Sequence, residues 1–190
     1  MLLNDLLDLS KFEAGRMTLS RAPADLELLV REAVNEFAAL FQSRRQTVRV
    51  ERAGPLPEVM VDSAKMGQVI RNLLSNAGKF TPEGQVIWVR LAMTSLDGAP
   101  AAEILVSDEG VGIPLAELNT VFDKFVQSSR TRTGAGGTGL GLAICKEIVV
   151  AHGGRISAGN NAVGGADFSV VLPLGAQSVS LGGDVTQKEE

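Results

Sequence analysis

Three groups of residues in this chain have types and spacings that could do chemistry. Asn72, Asn76 and Lys79 lie four and three residues apart, so on a helix they share one polar face. Amide oxygens beside a lysine suit a hard cation already held by phosphates. Asparagines on a solvated helix face are the commoner case, and both readings stand on these residues alone. Asp108 is followed by Gly110 and Gly112 at the end of an apolar run. There the backbone can close on a flat ligand, or simply turn. The third group is Gly134-Ala-Gly-Gly-Thr-Gly-Leu-Gly-Leu142, five glycines in eight residues running into an apolar segment. A helix starting there points free N–H groups and its dipole into the loop, which favours a phosphate; a flexible surface loop explains the glycines as well. Gly134, Gly136 and Gly139 fit G-x-G-x-x-G, but that motif needs a buried strand before it and an acid beyond it. Residues 125–133 are too polar for the strand, and no acid lies at the right distance. The phosphate-loop pattern G-x-x-x-x-G-K-[ST] is absent.

The elements that must position these groups follow from periodicity. Residues 1–20 begin as a leucine-rich amphipathic helix that stops near Gly15. Residues 21–23 break the pattern. A helix is predicted over 25–44, with Leu26, Val30, Ala33, Phe37 and Leu40 on one stripe. Strands are predicted over 47–52 and 59–61, the second ending at Asp62 as N-cap of a helix over 63–80. Met66, Val69, Ile70, Leu73, Leu74 and Ala77 give that helix a core face. Strands over 85–96 and 101–108 form a hairpin through residues 97–100. Residues 115–125 are weakly helical, and the polar run 127–133 leads to the glycines as a mobile lid. A helix over 140–151 and strands over 155–159 and 167–174 follow. Residues 176–190 are polar and expected to be disordered.

Composition narrows the class. A chain of 190 residues with 45% apolar content holds one good core. A net charge of −4 argues against a nucleic-acid surface. One cysteine, Cys145, allows no internal disulfide, and a small core residue in a reducing compartment is the expectation. No stretch reaches the length of a membrane span, so a soluble cytoplasmic piece without membrane contact is expected.

Taken together, QVIRNLLSNAGKFTPEG, DEGVGIP, FDKFVQ and GGTGLGLAICKEIVVAHGG, in this order, resemble the N, G1, F and G2 boxes of one ATP-binding domain. Sensor histidine kinases, type II topoisomerases, Hsp90 chaperones and MutL proteins share it (the GHKL superfamily, Bergerat fold), and the wording is nearest the bacterial kinases. The resemblance covers residues 21–174. LLNDLLDLSKFEAGRMTL looks like the end of the kinases' dimerisation and phosphoacceptor hairpin, which assigns 1–20 to hairpin and linker, 21–175 to the catalytic domain and 176–190 to a tail.

The resemblance implies an α+β fold, a two-layer sandwich whose mixed sheet is covered on one face by helices. It implies ATP and Mg²⁺ as ligands, with Asn72 and Asn76 on the metal and Lys79 on phosphate. Asp108 would read the adenine amine, with Gly110, Gly112, Ile113 and Phe80 around the base. Gly137, Thr138, Gly139, Leu140, Gly141 and Leu142 would cradle phosphates, and Arg130 or Arg132 would reach the γ-phosphate. ATPase relatives carry a water-activating glutamate where Asn72 stands, so weak hydrolysis is implied. The partners implied are a phosphoacceptor histidine domain of the same parent, a response regulator receiver domain, and a second copy of the parent, with an inner-membrane anchor left open. The sole histidine, His152, sits at a turn after a helix, so this chain alone is expected to bind ATP without phosphorylating itself. A nucleotide-binding scaffold and a serine kinase of the same fold are the alternatives.

Overall fold

A computed structural model describes residues 18–130 and 138–174. The expected helix within 1–17, the tail from 175, Arg132 and Gly137 lie outside the described residues. In chain order the elements are β1 (Ala22–Ala24), α1 (Leu26–Glu36), α2 (Ala38–Ser43), β2 (Thr47–Ala53), β3 (Val59–Val61), α3 (Ser63–Phe80), β4 (Val86–Leu96), β5 (Ala99–Ser107), α4 (Gly141–Ala151), β6 (Arg155–Asn160) and β7 (Ala166–Pro173), with a single 3₁₀ turn at Leu115–Glu117.

Alternation builds the main sheet. Successive side chains of a strand point to opposite faces, and the strand order β2-β4-β5-β7-β6 aligns the apolar ones. The registers put Val50, Val89, Val106 and Phe168 in one row, and Leu91, Ile104, Val170 and Ile156 in the next. The β2–β4 pair is parallel and the others antiparallel, so the sheet is mixed. The same face meets the core sides of α1, α3 and α4, with Leu26, Val30, Leu73, Leu74, Ile144 and Ile148 wholly buried or nearly so. This is the expected two-layer sandwich. No helix among the described residues is long and apolar enough to cross a membrane.

Four expectations need correction. The helix expected over 25–44 breaks at Phe37 into α1 and α2. No local breaker is present, and the tertiary contact decides: Phe41 is buried against Gly78, where an added Cβ would come within 2.8 Å of its ring. Residues 21–23, read as a break, lead into and partly form β1 (Ala22–Ala24), antiparallel to β3. Of the weak helix over 115–125 only the 3₁₀ turn forms. The hairpin turn is also tighter than expected. It has two central residues, Asp97 and Gly98, both at positive φ (50° and 83°), the mirror-image turn that matches strand twist.

His152 fixes the helix layer to itself. It is 2% exposed, its Nδ1 donates to Ile148 O at 2.8 Å, and its Nε2 accepts from the Asp62 N–H at 2.9 Å. These two bonds define a neutral imidazole that joins the C-terminus of α4 to the N-cap of α3. Burial holds its pKa below the ordinary 6.5 and Arg21 adds to this, against the Ile148 carbonyl and Asp62, which favour protonation. A lowered histidine pKa gives stability that is present above 6.5 and lost as pH falls toward the folded value. His152→Ala is expected to cost about 2 kcal/mol at neutral pH by orphaning a buried N–H and opening a cavity. Its stability should also depend less on pH below 6.5 than that of the parent chain, as read by denaturant titration at several pH values.

Candidate functional site

Helix α3 carries the first group because its sequence satisfies both helix ends. The Asp62 side chain caps the N-terminus by accepting from Lys65 N at 3.1 Å. At the other end Gln46, buried, donates through Nε2 to Gly78 O at 3.0 Å and Thr81 O at 2.6 Å, and Arg44 donates to Gly78 O as well. These side chains meet carbonyls that a helix terminus leaves without partners. The core face is buried, and Asn72, Asn76, Lys79 and Phe80 are half-buried along the other. Asn72 Nδ2 donates to Gly141 O at 3.3 Å, tying this face to the start of α4. The Asn76 amide has no hydrogen bond among the described residues. Lys79 Nζ lies 4.9 Å from the centre of the Phe80 ring, within cation–π range.

Asp108 directly follows β5 with its side chain buried, 4% exposed. Its Oδ1 accepts from Gly110 N at 2.8 Å and from Ala166 N at 3.1 Å. Burial raises its pKa above the ordinary 3.8 and the nearby Asp167 adds to the rise, against these two N–H donors. Gly110 is a close approach: an added Cβ would sit 2.8 Å from Phe80 O. The end of α3 and the loop after β5 are therefore in contact. Gly112 takes φ +65°. Ile113 is buried with its backbone N–H and carbonyl both bonded to Asn160, so neither is available to a ligand.

At α4, no side chain of the first residue caps the helix. Thr138 Oγ1 accepts from Leu140 N at 3.2 Å, and the Leu140 side chain is fully buried. Gly139, at φ +69°, packs so closely on Phe125 that a Cβ would lie 2.7 Å from its carbonyl carbon; Phe125 N donates to Gly139 O at 2.9 Å. Gly141 and Leu142 open the helix, and among the described residues its N-cap, Leu140, makes no side-chain cap bond, an arrangement that favours an anion. Arg130 donates to Val111 O at 2.7 Å, which binds the segment after Phe125 to the loop after Asp108. Glu117 of the 3₁₀ turn accepts from Ser129 N at 3.1 Å on the same segment.

The structure thus brings Asn72, the Phe80 backbone, Asp108, Gly110 and Gly141 into one connected region. Sequence reasoning missed Gln46 and Arg44, which hold the end of α3, and Asn160 and Asn161, which hold the Asp108 loop. Their only local signal is that two successive asparagines near Gly164-Gly165 favour a turn. Among the described residues no three His, Cys, Asp or Glu side chains cluster to hold a metal. A divalent ion at this site would have to bring phosphate oxygens and take amide oxygen from the protein, which fits the half-buried, unbonded Asn76.

The family model of histidine kinase-, DNA gyrase B- and HSP90-like ATPases matches residues 61–176. The chain is 36% identical over 174 residues to the alginate biosynthesis sensor protein KinB of Pseudomonas aeruginosa, covering 92% of this chain and 28% of that protein. It is 36% identical over 180 residues to the sensor histidine kinase WalK of Bacillus subtilis, covering 90% and 28%. It therefore spans little more than a quarter of either relative. Full-length ShkA in complex with AMPPNP superposes with a TM-score of 0.76 at 30% identity, over 90% of this chain and 35% of that one. The catalytic domain of histidine kinase ThkA gives 0.67 at 25% identity, over 83% and 98%. The chain belongs to the histidine kinase-, DNA gyrase B- and HSP90-like ATPase family, and within it is an ATP-binding catalytic domain of the sensor histidine kinase type.

Proposed function

We propose that this domain, taken as residues 21–175, binds ATP with Mg²⁺ and donates the γ-phosphate to a histidine on a dimerisation domain of the same parent protein. The observation that carries the reading is the convergence of α3, the Asp108 loop and the start of α4, through the Asn72–Gly141 bond and the Phe80–Gly110 contact. Asp108, when ionised, accepts the adenine exocyclic amine. Phe80, Gly110 and Gly112 shape the space around the base, and Ile113 supports it from the core. Lys79 offers charge to phosphate, and the N–H groups of Gly141 and Leu142 add the helix dipole. Asn76 offers an amide oxygen to the metal, with Asn72 beside it already bonded to Gly141. Mg²⁺, when bound, neutralises phosphate charge and aligns the γ-phosphate for in-line attack. Gly137 and Arg132 are proposed on the phosphates from the resemblance alone.

The downstream partner proposed is the receiver domain of a response regulator, in a homodimeric parent whose catalytic part lies in the cytoplasm. Transfer is tested by incubating the domain with γ-labelled ATP and a dimerisation domain that carries an intact histidine. Acid-labile, base-stable label on that histidine is expected. Label on serine would instead indicate a serine kinase, and no transfer despite tight binding would indicate a scaffold.

Two further outcomes test the site. Asn76→Ala should weaken Mg-ATP binding in calorimetric titration by about tenfold or more, with the thermal midpoint little changed. Asp108→Asn should separate affinity from stability. The raised pKa means that Asp108 stabilises the fold below 3.8 and that this contribution is lost as pH rises through the folded value. Removing the buried charge should raise the unfolding midpoint at neutral pH, while ATP affinity falls because an amide N–H would face the adenine amine. Unchanged ATP affinity in both variants would refute the site.

A further inference from the structure

We infer that the β6–β7 turn is a clamp that sets the base specificity of the site, with Asn160 and Asn161 as its positioning residues. The inference rests on the reading of Asp108 as the residue that receives the base. The two asparagines hold the loop after β5 at two separate points.

Asn161 is bonded on every side. Its Nδ2 donates to Asp108 O at 2.8 Å and to Ser107 Oγ at 3.1 Å, and lies 3.3 Å from Asp167 Oδ1. Its Oδ1 accepts from Gly165 N at 2.9 Å. Ser107 Oγ donates to Asp167 Oδ1, so the last residue of β5 joins the same network. Asn160 grips further along. Its Oδ1 accepts from Ile113 N and its Nδ2 donates to Ile113 O, both at 2.7 Å. Between these grips lie Glu109, Gly110, Val111 and Gly112. The turn itself is pressed onto the loop: any Cβ at Gly165 would collide with the Asp108 carbonyl, and one at Gly112 would sit 2.5 Å from Gly164 O.

The hydrogen-bond geometry favours a specificity role over a purely structural one. Asp108 Oδ1 is fixed by Gly110 N and Ala166 N, and both donors belong to segments the asparagines hold. A carboxylate aimed by fixed donors can prefer an amine at the base edge over a carbonyl. If the carboxylate can tilt, it discriminates less, although the phosphate end of the ligand still binds. The asparagines are not placed in contact with the nucleotide. They act through Asp108 and Ile113.

The test is binding of ATP and GTP, each with Mg²⁺, to the parent chain and to Asp108→Asn, Asn161→Ala and Asn160→Ala, with thermal midpoints recorded for all. The parent chain should prefer ATP, and Asp108→Asn should lose the preference. Asn161→Ala should lower the ATP-to-GTP affinity ratio by about tenfold while GTP affinity stays put, which general destabilisation would not produce. Asn160→Ala, whose bonds reach only Ile113, should lower the ratio to a smaller extent and carries the test should Asn161→Ala not fold. A parent chain without ATP preference, or an Asp108→Asn variant that keeps it, would overturn the base reading and the clamp with it. If those two controls behave as expected but the folded asparagine variants keep the parent ratio, the clamp alone is overturned.

Discussion

A carboxylate buried at the end of a central strand is the constraint from which the site follows. Asp108 sits behind the surface at 4% exposure, where an ion loses hydration that only hydrogen bonds can replace. Two backbone N–H groups supply part of that replacement, from Gly110 and Ala166. They can do so only if the chain doubles back tightly after Asp108 and if β7 begins directly beside it. The glycines at 110 and 165 are what allow those approaches, because each has a neighbour where a Cβ would go. The burial still raises the acid's pKa, so the fold keeps a group that weakens it at neutral pH. Such a cost is typical of groups retained for binding.

Helix α3 transmits this arrangement to the rest of the molecule. Its core face is one continuous apolar stripe, and its polar face needs a fixed height and rotation to be useful. The fold supplies both by binding the helix at each end. Asp62 and His152 hold the start, and Gln46 and Arg44 hold the finish. Each end also has a distant partner: His152 lies 90 residues from Asp62, and Gln46 lies 32 from Gly78. The polar face of α3 is therefore positioned by elements from both halves of the chain.

That division explains what the sequence made legible. Helix α3 was readable to the residue because an N-cap, a clean apolar period and a final turn agree locally. The β4–β5 hairpin was readable because Asp97-Gly98 is a strong turn signal. The segments that α3, the Asp108 loop and the start of α4 bring together could be singled out because their motifs occur in order, although each is weak alone. Strand β1 was not readable, since three residues, Ala22–Ala24, carry no period and owe their conformation to distant β3. The break at Phe37 arises from Phe41 meeting Gly78, which is a tertiary event. Asn160 and Asn161 look like turn residues, but Asn160 ends β6 and only Asn161 opens the turn; that their amides reach Ile113, Asp108 and Ser107 depends on strand order, which local pattern does not encode.

Helix α4 shows how the same chain can be rigid and receptive at once. Its C-terminus is closed by a buried imidazole whose two nitrogens are both bonded, so the helix axis has a fixed anchor. Its N-terminus has no side-chain cap on its first turn beyond the hydroxyl of Thr138 on Leu140 N. An uncapped N-terminus normally costs stability because its N–H groups lack partners. Here the deficit coincides with the point where Asn72 of α3 reaches Gly141. Anchoring one end while leaving donors open at the other fixes the direction of the dipole. A phosphate bound there would satisfy those donors with little spent on ordering the helix.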